Sequence, residues 1–409
     1  MAPTSVQHCC FGKKILIYKL NANTALFFSK ASQDPRIFSG DSSVEILSSE
    51  PLLRGPEFQS ALSGLDNIPL PPQFRAEVEQ DLLQGDHRTL YRLNGPTVLV
   101  LTFPHGETRH FVISESGVLL EKDDYWLKYF SFIIRESNGY RFHLKINERD
   151  IISFEQDFVW APDMSNFTHF LVDSLAPLAF FSKKFPHLKK LPIPQFSRTP
   201  SWQDEYMQVF GEKRFHLPSQ PALGQPAFIV FRPKTLLLSV ITSTLSRMLA
   251  VREFVRDRWG NLEPILGVDR FPIFLTRNDY RAARVRNSKE IQQLVSRLGG
   301  FTIDPSKLNA QQKLRLFNLP GIFIAEGSGT TNFSVFCSNN SRQICLLDSA
   351  SLSDPSFIRG GWPYFHSSSA RMNFLVGTDS RKLSGSPLSS CVFECEMLEE
   401  TIKQLRIDF

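Results

Sequence analysis

The sequence lacks the long apolar segment that a membrane-spanning helix requires, since no run of about 18 uncharged apolar residues occurs. Its N-terminus places Lys13 and Lys14 before a short apolar patch that polar residues soon interrupt, which makes a poor secretory signal. The six cysteines form no C-x-x-C pair, so the sequence offers no cysteine-based metal motif. Together these absences predict a cytoplasmic protein.

The familiar nucleotide-binding motifs are also missing. The chain contains neither the G-x-G-x-x-G fingerprint nor the G-x-x-x-x-G-K-[ST] P-loop, which argues against a dinucleotide-dependent enzyme. It has no D-x-D pair, and its acidic residues and histidines form no evident cation cage, so we expect no metal or other cofactor. The formal charge of +5 is too small and scattered to indicate nucleic-acid binding, but it suits an anionic small substrate or loose contact with an acidic membrane surface.

The chain has 409 residues, of which 42% are hydrophobic, and this is enough for two domains, or three if one is small. Residues 1–150 contain short apolar runs typical of strands, so we expect a β-rich N-terminal region with hairpins. Its turn signals are Asn94-Gly95-Pro96, Pro104-His105-Gly106 and Ser137-Asn138-Gly139. Further on, strands alternate with helices, which predicts Rossmann-like domains over residues 151–262 and 263–380 and a helical tail over residues 381–409.

The helix predictions depend on the spacing of apolar residues and on capping signals. Residues 166–180 follow helical spacing, although Pro177 is expected to bend or end that helix. Residues 236–259 form a second, longer helical pattern. Capping signals are present at two further helix starts, Asn287 with Glu290 and Asn309 with Gln312.

A glycine loop (residues 326–329) is the segment around which the chain is organised. It follows an apolar strand, and a helical pattern starts after it, at Thr330 or Thr331. In such a parallel unit the N–H groups at the helix start lie beyond the carboxyl end of the strand, where the helix dipole favours an anion such as phosphate. The alternative is a plain strand-to-helix turn. The candidate phosphate-binding residues here are Glu326, Gly327, Ser328, Gly329, Thr330, Thr331 and Asn332.

The sharpest polar grouping consists of Asn166, His169 and Asp173. On a helix these positions share a stripe about 100° wide, so one face carries an amide, an imidazole and a carboxylate. His169 could then act as a general base, with Asp173 orienting its ring one turn later. The alternative is a capping asparagine beside a His–Asp pair that has only a structural role.

An arginine loop (residues 276–286) follows a second predicted strand. It contains Arg277, Asn278 and Arg281, and Arg284 and Arg286 come after them. Guanidinium groups beyond the carboxyl end of a strand could clamp a diphosphate, because arginine offers planar and permanently charged donors. The alternative is a solvated basic loop.

These motifs, in this order, resemble the catalytic domain of glycosyltransferase family 61. That family includes bacterial capsular-polysaccharide enzymes, plant xylan glycosyltransferases and animal O-linked N-acetylglucosaminyltransferases. The resemblance covers residues 158–349 and continues more weakly through residues 374–377. It rests on N-F-x-H-F-L-x-D-x-L-x-x-L from Asn166, on a strand ending in T-R-N-D with trailing arginines, on L-x-x-Q-x-x-L-x-x-F, and on G-x-G-x-x-N.

The resemblance implies a GT-B-like α/β fold, in which two Rossmann-like domains face a cleft, here with a β-rich N-terminal region. It also implies inversion at the anomeric carbon without an obligatory metal. We therefore expect a cytoplasmic enzyme of capsule or other polysaccharide biosynthesis that moves a sugar from a nucleotide-diphosphate donor to a glycan acceptor, in peripheral contact at most with the inner face of the membrane. His169, assisted by Asp173, would be the base, and Arg277, Arg281 and the glycine loop would bind the diphosphate.

One departure from the family pattern matters. Many relatives carry His-Gly-Ala-Gly where this chain has Glu326-Gly327-Ser328-Gly329. A carboxylate that faces a diphosphate is unfavourable unless it is turned away or contacts sugar hydroxyls. Glu326 is therefore the main support for the alternative, a catalytically inactive glycosyltransferase-like binding or scaffold protein.

Overall fold

The structure of the protein, a computed structural model, describes residues 5–8, 14–17, 25–29, 42–51, 87–102, 108–115, 119–120, 133–136, 139–143, 151–161, 167–186, 191–195, 201–209, 214–216, 227–241, 244–259, 271–276, 285–326, 331–337, 341–348, 371–382 and 389–407. It is a mixed α/β structure that divides into two compact units. The first unit comprises residues 1–50, 87–200 and 213–242, and the second comprises residues 51–86, 201–212 and 243–409.

The first unit is built around one seven-stranded sheet, formed by β4, β5, β6, β7, β8, β11 and β14. Smaller sheets pair β1 with β2, β12 with β13, and β10 with both β3 and β9. The strands are β1 (Ser5–His8), β2 (Lys14–Ile17), β3 (Ala25–Ser29), β4 (Val44–Pro51), β5 (His87–Asn94), β6 (Thr97–Thr102), β7 (Thr108–Ile113), β8 (Leu119–Leu120), β9 (Ile133–Glu136), β10 (Gly139–His143), β11 (Ile151–Val159), β12 (Ile193–Gln195), β13 (Arg214–His216) and β14 (Ala227–Ile241).

Strands β5 and β6 form one interrupted strand rather than a hairpin. β14 pairs antiparallel with both in a single continuous register, from Ile241 opposite Arg88 to Ala227 opposite Thr102. The predicted turn at Asn94-Gly95-Pro96 is therefore wrong: Gly95, with φ of +57°, bridges the interruption, and its N–H donates to Lys234 O at 2.9 Å. The other two turn signals fall on residues outside the described ranges, apart from Gly139, but the strands on either side of them, β6 with β7 and β9 with β10, pair antiparallel.

From β11 onward strands alternate with helices, as the sequence predicts. β11 and β14 pair in parallel, and so do β12 and β13. The segment around Leu236, predicted as the start of a long helix, instead completes the strand β14, and the helix begins at Thr244. Because β14 also pairs with β5 and β6, strands on both sides of residue 150 share one sheet, which differs from the predicted domain boundary there.

A continuous helical segment follows β11. It consists of α1 (Phe167–His169), a π-helical turn (Phe170–Leu175) and α2 (Ala176–Lys184). Of the two effects predicted for Pro177, a bend or an end of the helix, the second is wrong, because the helix continues to Lys184. The wider preceding turn, in which Ala176 N–H donates to Leu171 O, relieves the clash that a proline ring makes with an ordinary helical turn.

The second unit contains a six-stranded sheet in the order β16-β15-β17-β18-β19-β20, with the first five strands parallel and β20 antiparallel. Its strands are β15 (Pro272–Leu275), β16 (Phe301–Ile303), β17 (Ile322–Glu326), β18 (Arg342–Asp348), β19 (Arg371–Lys382) and β20 (Ser389–Val392). Its helices are α3 (Ser201–Val209), α4 (Thr244–Trp259), α5 (Ser288–Arg297), α6 (Ala310–Phe317) and α7 (Cys395–Ile407), with 3-10 helices at Pro305–Lys307 and Thr331–Phe336.

Successive side chains of the parallel strands point to opposite faces of the sheet and pack into two different hydrophobic cores. Phe274, Ile322 and Ile324 share one hydrophobic cluster with residues of α5 and α7. Phe323, whose side chain points to the other face because it alternates with these neighbours, has its ring centroid 5.2 Å from that of Phe317 on α6. The sheet is therefore buried on both faces, as expected for a doubly wound α/β unit. The region predicted as a separate tail contributes β20 and α7 to this unit.

Two asparagines at helix starts have different roles. Asn309 forms the predicted capping box, in which its side chain accepts from Gln312 N–H and the Gln312 side chain accepts from Asn309 N–H. Asn287 makes no side-chain cap, so the capping box predicted for α5 is wrong. Its Nδ2 donates to Phe393 O at 2.7 Å and its Oδ1 accepts from Phe393 N–H at 3.1 Å, which ties the start of α5 to the segment before α7.

No helix among the described residues has both the length and the apolar character needed to cross a bilayer.

We predict that Asn287→Ala lowers the free energy of unfolding by about 1–3 kcal/mol, because it leaves the buried N–H and C=O of Phe393 without their partner. Chemical denaturation measures this change. Gln293→Ala, on the exposed face of α5, is the matched control and should change stability by less than about 0.5 kcal/mol. An equal effect of the two substitutions would contradict the assignment.

Candidate functional site

The strand order of the second unit reverses between β15 and β17. From β15 the chain passes to β16 on one side and then returns to β17 on the other. In open α/β sheets such a switch point, at the carboxyl ends of the strands, is where ligands bind. β15 and β17 are paired in register, with Leu275 opposite Ala325, so Thr276 and Glu326 come at the same level of the sheet.

Both predicted donor loops begin at this switch point. The arginine loop starts at Thr276, which is buried and whose N–H donates to Ile303 O at 2.9 Å. The glycine loop starts at Glu326, on the neighbouring strand. Adjacent strands are separated by about 4.8 Å, so the starting points of the two loops are immediate neighbours.

The far end of the arginine loop is anchored as well. Val285 forms an isolated parallel bridge with Cys391, and Arg286 N–H donates to Cys391 O at 3.0 Å. The Arg286 guanidinium donates to the carboxylate of Asp379 and, at 2.8 Å, to its carbonyl oxygen. Arg286 therefore fixes the end of the loop to β19. The sequence suggested that the arginines of this loop bind a ligand, whereas the Arg286 side chain binds Asp379.

Glu326 belongs to the strand β17. It is the last residue of β17 and only 2% exposed. The sequence placed it among the donor-binding residues, where its charge would oppose a diphosphate. Its side chain is instead buried at the end of β17.

The segment after the glycine loop, where the sequence predicted a helix starting at Thr330 or Thr331, is a short 3-10 helix, Thr331–Phe336. A segment of this length provides little helix dipole, so the dipole argument for an anion site does not apply to it. Aromatic stacking holds the segment in place. Phe333 stacks on Phe317 with centroids 4.9 Å apart and an interplanar angle of 6°, and Phe336 stacks on Tyr206 at 6.0 Å.

Two charged residues beside this segment were not identified from the sequence. Glu205 on α3 accepts from the N–H of Ala310 at 3.0 Å, and so caps α6 from another helix. Lys313 lies on the buried side of α6 and has its Nζ 6.0 Å from the centroid of the Phe333 ring. The only local signal is a lysine in the apolar stripe of α6, because the partners of both residues are distant in sequence.

The His–Asp pair forms in the first unit. Because a carboxylate only accepts, the Nδ1–H of His169 donates to Asp173 Oδ2, at 2.9 Å. The side chain of His169 is 49% exposed and that of Asp173 is 18% exposed. This arrangement keeps a proton on Nδ1 and leaves the Nε2 lone pair of an accessible imidazole able to accept another proton. The pair spans the α1 end and the π-helical turn, a helix irregularity that is frequent at functional sites.

The remaining predicted site residues lie outside the described residues or have undescribed side chains. Thr331 and Asn332 begin the 3-10 helix, and only their backbone is described. Those outside the described residues are Asn166, Arg277, Asn278, Arg281, Gly327, Ser328, Gly329 and Thr330. Within the described ranges, no group of three or more histidine, cysteine, aspartate or glutamate side chains could hold a metal ion.

We predict that the Arg286–Asp379 pair makes stability depend on pH. The Arg286 hydrogen bond holds the pKa of Asp379 below its ordinary value, so the charged carboxylate stabilises the fold above about pH 4. This contribution is lost as the pH falls through the lower pKa of the folded state. Asp379→Asn should therefore be less stable than wild type at pH 7 in urea denaturation, and the difference should disappear at about pH 2.

The control for this experiment is Asp257→Asn, which changes an exposed carboxylate on α4 and should alter stability by less than about 0.5 kcal/mol. The same stability difference for Asp379→Asn at both pH values would show that its charge is not involved.

Comparison with known proteins does not assign the chain to a family. No protein-family model matches the chain, and no curated protein matches it. The features of the chain that bear on its function are therefore the two loops that begin at the switch point and the His169–Asp173 pair.

Proposed function

We propose that the protein is an inverting glycosyltransferase that moves a sugar from a nucleotide-diphosphate donor to a glycan acceptor without a metal ion. The observation that carries this proposal is the common origin of the arginine loop and the glycine loop at the β15/β17 switch point. Arginines in one loop and backbone N–H groups in the other suit the charge of a diphosphate. The GT-B-like architecture expected from the sequence resemblance is part of the same proposal.

The chemistry requires a base for the acceptor hydroxyl and positive charge for the leaving group. His169 Nε2 removes the hydroxyl proton while the acceptor oxygen attacks the anomeric carbon from the face opposite the diphosphate. The bond between that carbon and the diphosphate oxygen breaks, and its electron pair leaves with the nucleoside diphosphate. Asp173 holds the imidazole and stabilises the imidazolium that forms, while Arg277 and Arg281 stabilise the departing charge.

Ligand-induced thermal stabilisation is the first test. A panel of nucleoside diphosphates and nucleotide sugars should contain at least one compound that raises the melting temperature, because a ligand that binds only the native state stabilises it. The absence of a shift with every nucleotide would support the alternative of a binding or scaffold protein that does not use a nucleotide donor.

We predict that Arg277→Ala and Arg281→Ala each weaken nucleoside-diphosphate binding by about 10-fold to 100-fold, the range expected for losing a charged hydrogen bond. Isothermal titration calorimetry measures the affinity. Arg315→Ala removes the same charge from an exposed position on α6 and should leave affinity unchanged. If all three variants bind like wild type, the arginine loop is a solvated basic loop.

We predict that His169→Ala reduces sugar transfer by about 10²–10⁴-fold and leaves nucleotide-sugar affinity nearly unchanged, because the imidazole acts on the acceptor hydroxyl. Asp173→Asn should reduce transfer less, since the ring remains in place. Slow hydrolysis of the donor by water provides the assay before an acceptor is identified.

The melting temperature is the control for His169→Ala, because a half-exposed side chain contributes little to stability. Equal donor hydrolysis by wild type and by this variant across pH 5 to 9 would remove His169 from the mechanism.

A further inference from the structure

The strand β16 forms one edge of the six-stranded sheet, and no strand in the described ranges pairs with its outer side. Its three residues include neither a charged side chain nor a proline, which are common means of protecting a sheet edge from further pairing. Phe301 and Thr302 are both exposed, Phe301 to 52%. An open edge of this kind can accept a further strand.

The backbone groups that point outward from this edge belong to Thr302. The N–H of Thr276 donates to Ile303 O at 2.9 Å, so the backbone of Ile303 faces β15. Because the N–H and C=O groups of successive residues point to alternate sides of a strand, those of Thr302 point away from β15. These two groups are therefore placed to bind the backbone of an extended peptide.

A groove of about 640 Å³ lies at the same edge. Gly300, Phe301 and Thr302 form its strand side, and α5 forms its helix side. Positions three, four and seven residues apart share one face of a helix, so α5 presents a continuous polar row beside the strand. The side chains of this row are Lys289, Gln292, Gln293 and Ser296.

The charge of the groove favours an acidic occupant. Among the described residues that line it, Lys289 is the only one with a charged side chain. The neighbouring Glu290 does not line the groove, and its carboxylate accepts from Asn287 Nδ2 at 3.4 Å. The glutamine amides and the serine hydroxyl of the row can donate to and accept from peptide groups. A peptide that carries carboxylates therefore matches this side of the edge.

The two faces of the edge differ in chemistry. Thr302 lies opposite Phe274 in the register of β15 with β16, and Phe274 belongs to the hydrophobic cluster that α5 covers. The side chain of Thr302 is therefore on the α5 face, while that of Phe301 is on the other face. There the ring centroid of Phe301 lies 5.8 Å from that of Phe271. A strand that adds to this edge thus meets a polar, cationic face on one side and an aromatic face on the other.

We propose that β16 is a docking site for an extended segment of a partner protein, in which acidic and apolar residues alternate, and that this segment adds to the sheet as a further strand. The edge is short and supplies few backbone hydrogen bonds, so side-chain contacts with Lys289 and Phe301 set the specificity. The inference is independent of the proposed function, because none of these residues belongs to the two donor loops or to the His169–Asp173 pair.

Fluorescence anisotropy with labelled peptides tests the proposal. The probe is a capped eight-residue peptide of alternating glutamate and valine, and the comparison peptide has lysine in place of each glutamate. Wild type should bind the glutamate peptide about threefold to tenfold more tightly, because Lys289 attracts it and repels the other. Equal affinity for the two peptides, or binding of neither, would overturn the inference.

Lys289→Glu tests the source of this preference. The substitution should reverse the order of the two affinities, since it replaces the cation of the groove with a carboxylate. Arg315→Glu makes the same change at an exposed position on α6 and is the matched control, which should retain the wild-type preference. If Lys289→Glu keeps the wild-type order, the peptide binds elsewhere and the inference fails.

Thr302→Pro tests the backbone contact. It removes the outward N–H without removing a hydrogen bond to β15, and it should weaken binding of the glutamate peptide by about threefold to tenfold. Thr302→Val changes the side chain, keeps the N–H and is the control. Equal affinities of these two variants would contradict the proposal. If Thr302→Pro does not fold, a glutamate peptide N-methylated at every residue tests the same contact, and undiminished binding of that peptide overturns the inference.

Hydrogen exchange and sedimentation velocity identify the occupant of the edge. The amide of Thr302 should exchange more slowly when the glutamate peptide is bound, and an unchanged rate would contradict strand addition. The alternative occupant is a second copy of the chain. A wild-type dimer that Thr302→Pro dissociates would show that the edge pairs with itself and would overturn the proposal, whereas a monomer that binds the peptide supports it.

Discussion

The parallel pairing of β15 with β17 is the constraint on which the candidate donor site depends. Its register sets Leu275 opposite Ala325, so that Thr276 and Glu326 reach the carboxyl edge together. A slip of one residue would turn Phe274 and Ile324 out of one core and into the other, because side chains alternate across a strand. Burial on both faces therefore fixes the register, and the register in turn fixes where both loops begin.

The segments that follow the two loops are held by further contacts. Val285 and Arg286 anchor the end of the arginine loop to β20 and β19, while Phe333 and Phe336 anchor the segment after the glycine loop to α6 and α3. Stability and ligand binding are thus connected at this edge of the second unit. Substitutions in the anchors should affect both, and substitutions in the loops should affect mainly binding.

In the first unit, the packing of a helical segment positions the candidate base, His169. A π-helical turn continues directly from the short helix that carries His169. Its backbone hydrogen bond before Pro177 runs from Ala176 N–H to Leu171 O, which is one residue wider than in an α-helix. The apolar side of the segment is buried through Phe170, Leu171 and Leu175, which orients the opposite side, with His169 and Asp173, toward solvent. The packing of the helix therefore decides the exposure of the imidazole.

The sequence by itself determined the features whose partners are close along the chain. These include the strand and helix alternation after β11, the Asn309–Gln312 capping box, and the His169–Asp173 contact, because each depends on spacings of three or four residues or on local periodicity. Only the tertiary structure decided the collinearity of β5 and β6, the bonding of Asn287 to Phe393, the burial of Glu326 and the contact of Lys313 with Phe333. The physical reason is that each of these is set by a neighbour far away in sequence, whose approach depends on how whole strands and helices pack.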